Sequence, residues 1–317
     1  MRIVRRGLVL MAIPSVLLAM AGLKGQMPSQ ESFPRLRGPY LGQPEPGIES
    51  IPFAEGILFP DHCSVAISPD GSEILWAEPV ESDAPRRLMS TRLGSGFWSL
   101  PQVLPFTEQA DGDCPVLSPD GQRLFFNSRR PIDGQERERV WMASRIDHNW
   151  MDVRPVPGVL NQDHLHWQVS ADSAGNLYFG TERPGGQGSD DIFMVSPFEP
   201  RRSLGASAVP GKINTGSHES TPYVSPGGHF LIFSRIQADE GLGGADLYIS
   251  FREDDGSWGM PRNLGPTVNS DRSECCPVVS PDGRFLFFLR LGMGYKQVFW
   301  VSTVVLPAES AVPTPTP

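Results

Sequence analysis

The sequence predicts an all-β fold of five tandem four-stranded units, and three observations predict it. A four-residue turn recurs at a nearly fixed period. Each copy sits between short apolar runs. No segment after the first 25 residues sustains a helical period.

The turn reads Ser68-Pro69-Asp70-Gly71, Ser118-Pro119-Asp120-Gly121 and Ser280-Pro281-Asp282-Gly283. Eroded copies stand at Ser225-Pro226-Gly227-Gly228 and at Ser170-Ala171-Asp172-Ser173-Ala174-Gly175. Steps of 50, 52, 55 and 55 residues separate the serines, a period that marks an array of like units. Proline presets φ at the first central position, aspartate bonds nearby backbone, and glycine takes the positive φ that closes the bend. Val65-Ala66-Ile67 and Ile74-Leu75-Trp76 flank the first copy, Val116-Leu117 and Leu124-Phe125-Phe126 the second, Val278-Val279 and Phe285-Leu286-Phe287-Phe288 the last. Two apolar runs around such a turn make a β-hairpin.

The rest of each unit follows in order. A polar turn carries Arg129, Arg183, Arg235 or Arg290, expected to pair with Asp191 or Asp246 of the same unit. A third strand comes next: Arg87–Ser90, Val140–Ala143, Asp191–Val195, Asp246–Ser250 and Gln297–Val301. Turns holding Trp98, Trp150 and Trp258 lead to a short fourth strand, as in Pro261-Arg262-Asn263-Leu264-Gly265; these tryptophans are expected to pack between strands. Four antiparallel strands per unit make the blade of a β-propeller. The fifth unit lacks a fourth strand of its own. Ile51–Ile57 stands at the spacing of an outer strand, so a five-bladed ring closed by the N-terminal strand is expected over residues 51–305, with six blades as the alternative.

Outside the repeats, Arg2, Arg5 and Arg6 precede an apolar stretch from Gly7 to Leu23, and Ala19-Met20-Ala21 has the form of a cleavage site. Residues 1–21 read as an export signal, residues 22–50 as a linker and N-terminal extension, and residues 306–317 as a disordered Pro-rich tail. The formal charge is −9; cleavage after Ala21 removes three arginines and leaves 24 basic against 36 acidic residues, a charge of −12. Phosphate binding needs a basic surface, which excludes a nucleic-acid partner. A periplasmic or extracellular monomer is expected, meeting the membrane only through its signal segment.

The SPDG turn with an aromatic-rich strand after it, the Asp246-Leu247-Tyr248 third strand and the Trp258–Pro261–Asn263-Leu264-Gly265 segment resemble the WD-like, TolB-like propeller repeats of bacterial envelope proteins. The resemblance covers about residues 51–303. It implies the propeller fold, which serves as binding scaffold, peptidase subdomain or enzyme core alike.

The residues with chemistry lie four to seven positions before each turn serine: His62 and Cys63, Asp113 and Cys114, His164 and His166, His218 and Glu219, and Glu274, Cys275 and Cys276. Four of the six histidines and all four cysteines fall in this window. The first strand of a blade is innermost, so these segments should converge at one mouth of the central channel. Three readings stay open. The residues line a wet entrance. Or they form a disulfide, Cys63 with Cys114 or Cys63 with Cys275 or Cys276, as suits an oxidising compartment. Or Cys63, Cys114, His166, His218 and Cys276 hold zinc or copper. Glu219 and Glu274 are the acids available for acid/base work, both expected to face the channel mouth. The turn serines lack a G-x-S-x-G context, and no glycine motif cradles phosphate, so no cofactor is expected. The expected function is non-catalytic binding of a protein, peptide or glycan through His62, Asp113, His164, His166, His218, Glu219 and Glu274. The alternative is an envelope hydrolase or lyase with its active site at the channel mouth.

Overall fold

The computed structural model describes residues 33–79, 85–162, 166–199, 205–236 and 241–308, with backbone only at 166 and 167. The expected signal segment, His164 and most of the Pro-rich tail lie outside them.

The chain is a β-propeller of antiparallel four-stranded sheets, and its helical elements among the described residues are short 3-10 turns. Strand β1 (Ile51–Pro52) comes before the first unit. That unit holds β2 (Ala66–Ile67), β3 (Glu73–Pro79), β4 (Arg86–Gly94) and the short β5 (Phe97–Trp98) and β6 (Gln102–Val103), both paired with β4. The second holds β7 (Asp113–Leu117), β8 (Arg123–Ser128), β9 (Arg139–Ile146) and β10 (Asn149–Pro155). The third holds β11 (His166–Ala171), β12 (Leu177–Thr181), β13 (Asp191–Val195) and β14 (Ser207–Ala208). The fourth holds β15 (His218–Val224), β16 (Phe230–Ile236), β17 (Ala245–Phe251) and β18 (Arg262–Asn263). The fifth holds β19 (Ser273–Val279), β20 (Phe285–Gly292) and β21 (Tyr295–Ser302). Its outer partner is β1, paired antiparallel with β21 through Ile51 opposite Trp300 and Pro52 opposite Phe299. Proline is tolerated there because an outer strand leaves one row of N–H groups unused.

The turns hold as their residues dictate. Gly71, Gly121 and Gly283 take φ of 70°, 68° and 74°. The serine does more than the sequence suggests. Ser68 Oγ donates to Asp70 at 2.5 Å and accepts from Glu73 N at 2.8 Å, so one hydroxyl locks both ends of the turn. Ser118 and Ser280 do the same with Asp120 and Arg123, and with Asp282 and Phe285. In the eroded third copy Asp172 takes over, accepting from Asn176 N, and Ser170 Oγ instead accepts from Val224 N of the next unit.

Apolar side chains fill every seam between successive sheets. Leu124 and Phe126 pack with Leu75 and Leu88, Phe125 with Phe179, Phe233 with Tyr178, and Phe288 with Ile249. The seam between the fifth and first units holds Phe287 and Trp300 against Ile67 and Trp76, with Phe53 and Tyr40 added from the N-terminal side. Within the N-terminal extension, Tyr40 and Leu41 thus join this core and Leu36 packs against it. Tyr40 and Leu41 are buried, the Tyr40 ring lies 5.2 Å from that of Phe285, and Gly38 O accepts from Trp98 Nε1 at 2.7 Å. At the other end, Leu306 packs on the fourth–fifth seam. The expected packing role of the tryptophans is seen in Trp98, Trp150 and Trp258, all buried. No helix among the described residues is long and apolar enough to cross a membrane.

Candidate functional site

The first strands of units two to five share a deformation. Pairing with the second strand shifts register between Asp113 and Val116, His166 and Ser170, Ser220 and Tyr223, and Cys275 and Val278. In three of them the extra residue is Cys114, Thr221 or Cys276, at φ 47°, 46° and 53°. Each precedes a proline, Pro115, Pro222 or Pro277. A left-handed conformation is costly for a non-glycine residue, and more so for β-branched threonine. Bulges of this kind re-aim side chains next to functional sites. These segments also bond to one another: Thr221 Oγ1 accepts from Cys276 N at 3.1 Å, and Gln168 Nε2 of the third unit donates to Pro277 O of the fifth at 3.1 Å.

Around these bulges, the window residues of the first, second and fifth units come together. Cys63 and Cys114 form a disulfide with Cα atoms 5.2 Å apart. Of the three cysteine pairings left open, this is the one made. Cys275 and Cys276 remain thiols, buried in the same core cluster. Cys276 Sγ donates to His62 O at 3.7 Å, and burial pushes its thiol well above the ordinary range, which keeps it protonated. With Cys63 and Cys114 bonded to each other, the five-residue soft-metal set has lost two thiolates. His166 contributes its backbone, paired with Gly180.

Beside the disulfide, His62 Nδ1 lies 2.6 Å from Asp113 Oδ2. Asp113 Oδ1 accepts from Cys114 N at 2.8 Å, which fixes the carboxylate. Arg86 Nη1 stands 3.4 Å from Asp113 Oδ2, and the same guanidinium holds Asp61 Oδ2 at 2.8 Å. Lys296 of β21 completes the chain by pairing with Asp61. Burial alone would raise the Asp61 pKa, but the Lys296 and Arg86 hydrogen bonds outweigh it and lower it. The chain Lys296–Asp61–Arg86–Asp113–His62 thus joins three units.

His218 lies apart from this chain of contacts, with Nδ1 2.8 Å from Asp190 Oδ2 and 3.4 Å from Ser189 Oγ. Serine and aspartate approach the same ring nitrogen. A hydrolytic triad needs them on opposite nitrogens, so this trio is not one.

Glu219 and Glu274 do not face the channel mouth. Both are 0 % exposed. Glu219 accepts from Arg235 Nε at 2.9 Å, Thr215 Oγ1 at 2.5 Å and Thr215 N at 3.1 Å. Glu274 accepts from Arg290 Nε at 2.7 Å, Ser270 Oγ at 2.6 Å and Ser270 N at 3.1 Å. These are structural ion pairs, and they replace the expected arginine–aspartate pairs. Asp191 instead accepts from Gln187 N and Gly188 N, and Asp246 from Leu242 N and Gly243 N.

A cleft of about 860 Å³ opens at this face between the first and second units. His62 and Asp113 are in its wall with Arg86, Arg87, Asp111 and Arg129. Arg130 lies over the Phe126 ring at 5.2 Å and bonds to Phe106 O, and burial lowers its pKa.

Asp61, Arg86 and Lys296 escape the sequence reading, because nothing local marks them as partners. A second missed set did carry a signal. Asn161, Asn214 and Asn269 each clamp one residue of a third strand through both N–H and C=O, namely Val140, Ile192 and Leu247. Thr107 serves Leu88 in the first unit. Thr107, Asn214 and Asn269 all stand eleven residues before a turn serine.

No protein-family model matches the chain, and no curated protein does. Solved structures similar to it include a protein described as TolB from Agrobacterium tumefaciens, at 16% identity over 75% of this chain and 76% of that one, TM-score 0.47. The periplasmic gluconolactonase PpgL of Pseudomonas aeruginosa is similar at 20% identity over 72% of this chain and 64% of that one, TM-score 0.42. Prolyl oligopeptidase B of Galerina marginata is similar at 11% identity over 78% of this chain, TM-score 0.43, and this chain spans 33% of that enzyme's length. The fold assignment rests on the strand pairings themselves.

Proposed function

We propose that the chain is an exported, monomeric binding propeller that takes a protein, peptide or glycan ligand in the cleft between its first and second units. The observation that carries this reading is the cleft's size and lining together. About 860 Å³ is the volume of a small-ligand or peptide-side-chain site. Its wall is charged on both signs and rich in donors and acceptors, which suits peptide groups and sugar hydroxyls. Glu219 and Glu274, the two acids expected to do acid/base work, are locked in buried ion pairs. Export is supported by the basic–apolar start and by the Cys63–Cys114 disulfide, since such bonds persist in oxidising compartments.

The test is a screen of glycans and peptides against the purified chain, followed by calorimetry with Arg87→Ala/Arg129→Ala. A true cleft ligand should lose at least about tenfold in affinity, near 1.4 kcal/mol. A ligand that binds the variant unchanged sits elsewhere.

One observation favours a second reading. An imidazole held by a carboxylate at 2.6 Å is the general-base half of a hydrolytic pair. On this reading the cleft is the active site of a hydrolase or lyase and His62 its base. Cleavage of a bound peptide or glycan that stops in His62→Ala would select it over the binding reading.

A further inference from the structure

We propose that His62, Cys63, Asp113 and Cys114 form a thiol-switched site for a zinc-class divalent ion, filled when the Cys63–Cys114 disulfide is reduced. The proposal does not rest on the ligand reading above.

One ligand atom from each of the four residues lies within 4.8 Å of the other three. Tetrahedral zinc, with bonds of about 2.3 Å to sulfur and 2.0 Å to nitrogen or oxygen, spaces its ligand atoms about 3.3–3.8 Å apart. The site therefore forms if the sulfurs part and the His62 Nδ1–Asp113 Oδ2 contact, 2.6 Å, opens to that ligand spacing. Two thiolates, one imidazole and one carboxylate are a donor set that zinc accepts and that magnesium or calcium does not. A disulfide alone requires neither a histidine nor an aspartate at its side. Here both are present, one residue before each cysteine.

The surroundings are those of a built site. Asp113 is oriented by Cys114 N, as carboxylates that ligate a metal are themselves held by hydrogen bonds. A dication with two thiolates and a carboxylate carries one net negative charge, and Arg86, 3.4 Å from Asp113 Oδ2, offsets it. Cys114 is held in a left-handed conformation before Pro115, so the fold fixes its side-chain direction. His62 and Asp113 are also in the cleft wall, which gives an ion its path in.

The chemistry balances with a dithiol as reductant. Its thiolate attacks one sulfur, the Cys63–Cys114 bond breaks, and the reductant leaves as its own disulfide after transferring two electrons and two protons. The ion then displaces a proton from each thiol and takes a lone pair from neutral imidazole. A disulfide oxidant reverses the step: it takes the two electrons and leaves as its dithiol, the Cys63–Cys114 bond re-forms, and the ion is expelled.

The experiment uses the purified exported chain, titrated with cobalt(II) without oxygen before and after phosphine reduction. The expected result is one equivalent bound by the reduced chain and none by the oxidised chain. The reduced complex should show a thiolate-to-cobalt charge-transfer band and the intense visible bands of tetrahedral cobalt, both bleached by zinc. Cys275→Ser/Cys276→Ser should keep this behaviour. His62→Ala or Asp113→Asn should weaken cobalt binding at least about tenfold. Cys63→Ser/Cys114→Ser should stay folded by circular dichroism and bind no cobalt. The proposal is overturned by a folded, reduced chain without these bands, by equal binding in the oxidised chain, by bands that survive His62→Ala with Asp113→Asn, or by a reduced chain that zinc cannot keep folded.

Discussion

Glu274 Oε1 and Arg290 Nε lie 2.7 Å apart across β19 and β20, directly opposite in register and with the carboxylate sealed from water. The guanidinium also stacks 4.1 Å from the Phe299 ring centre. Removing one partner of such a pair leaves a buried charge, at a cost of about 3–5 kcal/mol. Glu274→Gln should lower unfolding free energy in urea by about that amount. Glu274→Leu/Arg290→Leu should recover most of it. If Glu274→Gln is neutral for stability, the structural role assigned to this pair is wrong.

The Cys63–Cys114 disulfide closes a loop of 51 residues in sequence separation. Restricting the unfolded chain over that length is worth about 4 kcal/mol in the chain-entropy treatment. Cys63→Ser/Cys114→Ser should therefore lower stability by up to that figure. Adding a reductant should bring the wild type to the same denaturation midpoint when metal is absent.

The turn aspartates give a pH window. The Ser68 hydroxyl bond holds Asp70 down to about 2 from 3.8. Burial would raise Asp120 and Asp282, but the bonds from Ser118 and Ser280 and from backbone N–H groups outweigh it and lower both. A depressed carboxyl stabilises the fold above its unfolded pKa and loses that contribution as pH falls through the folded one. Asp70→Asn/Asp120→Asn/Asp282→Asn should melt below the wild type at neutral pH. The difference should shrink between about pH 4 and pH 2. A gap that stays constant down to pH 2 would show that the charge is not what matters.

The N-terminal segment should be integral to the fifth unit. Phe53 is buried with its ring 4.9 Å from that of Phe287 and 5.1 Å from that of Trp300. Phe53→Ala should cost about 3–5 kcal/mol. Deleting residues through Leu58 should lower the melting temperature sharply, while deleting residues 309–317 should leave it unchanged. Equal effects of the two deletions would argue against five blades closed by β1.

How far the sequence speaks depends on the range of each interaction. The SPDG turns are local, so their geometry could be read from four residues, and the period aligned the window that holds His62, Cys63, Asp113 and Cys114. Which face a window residue presents is another matter. Neighbours on a strand point to opposite sides: His218 keeps 23% of its side chain exposed, whereas Glu219 beside it is sealed. Counting back from the serine could not separate them. Lys296 and Asp61 meet across 235 residues, and no local pattern announces such a partner. The burial of Tyr40 and Leu41 in the N-terminal extension is hidden for a similar reason. Tyr40 and Leu41 sit in a turn-rich, polar stretch, and the aromatic wall that receives them is some 250 residues downstream.

The pairing of β1 with β21 also sets a timetable. A ribosome or a translocation channel releases Ile51–Pro52 early and Tyr295–Ser302 late. Until the last strand emerges, the first has no partner, and Phe53 has no wall to lie on. Bringing the two together over such a span costs on the order of 5 kcal/mol in loop-closure entropy, ahead of any contact that offsets it. High contact order slows folding and prolongs the exposure of strand edges. The Ile51–Pro52 strand thus stays unpaired until the last strand of the fold has emerged. A circular permutant that begins after residue 58 and carries residues 33–58 behind residue 308 would turn that last long-range step into a local one.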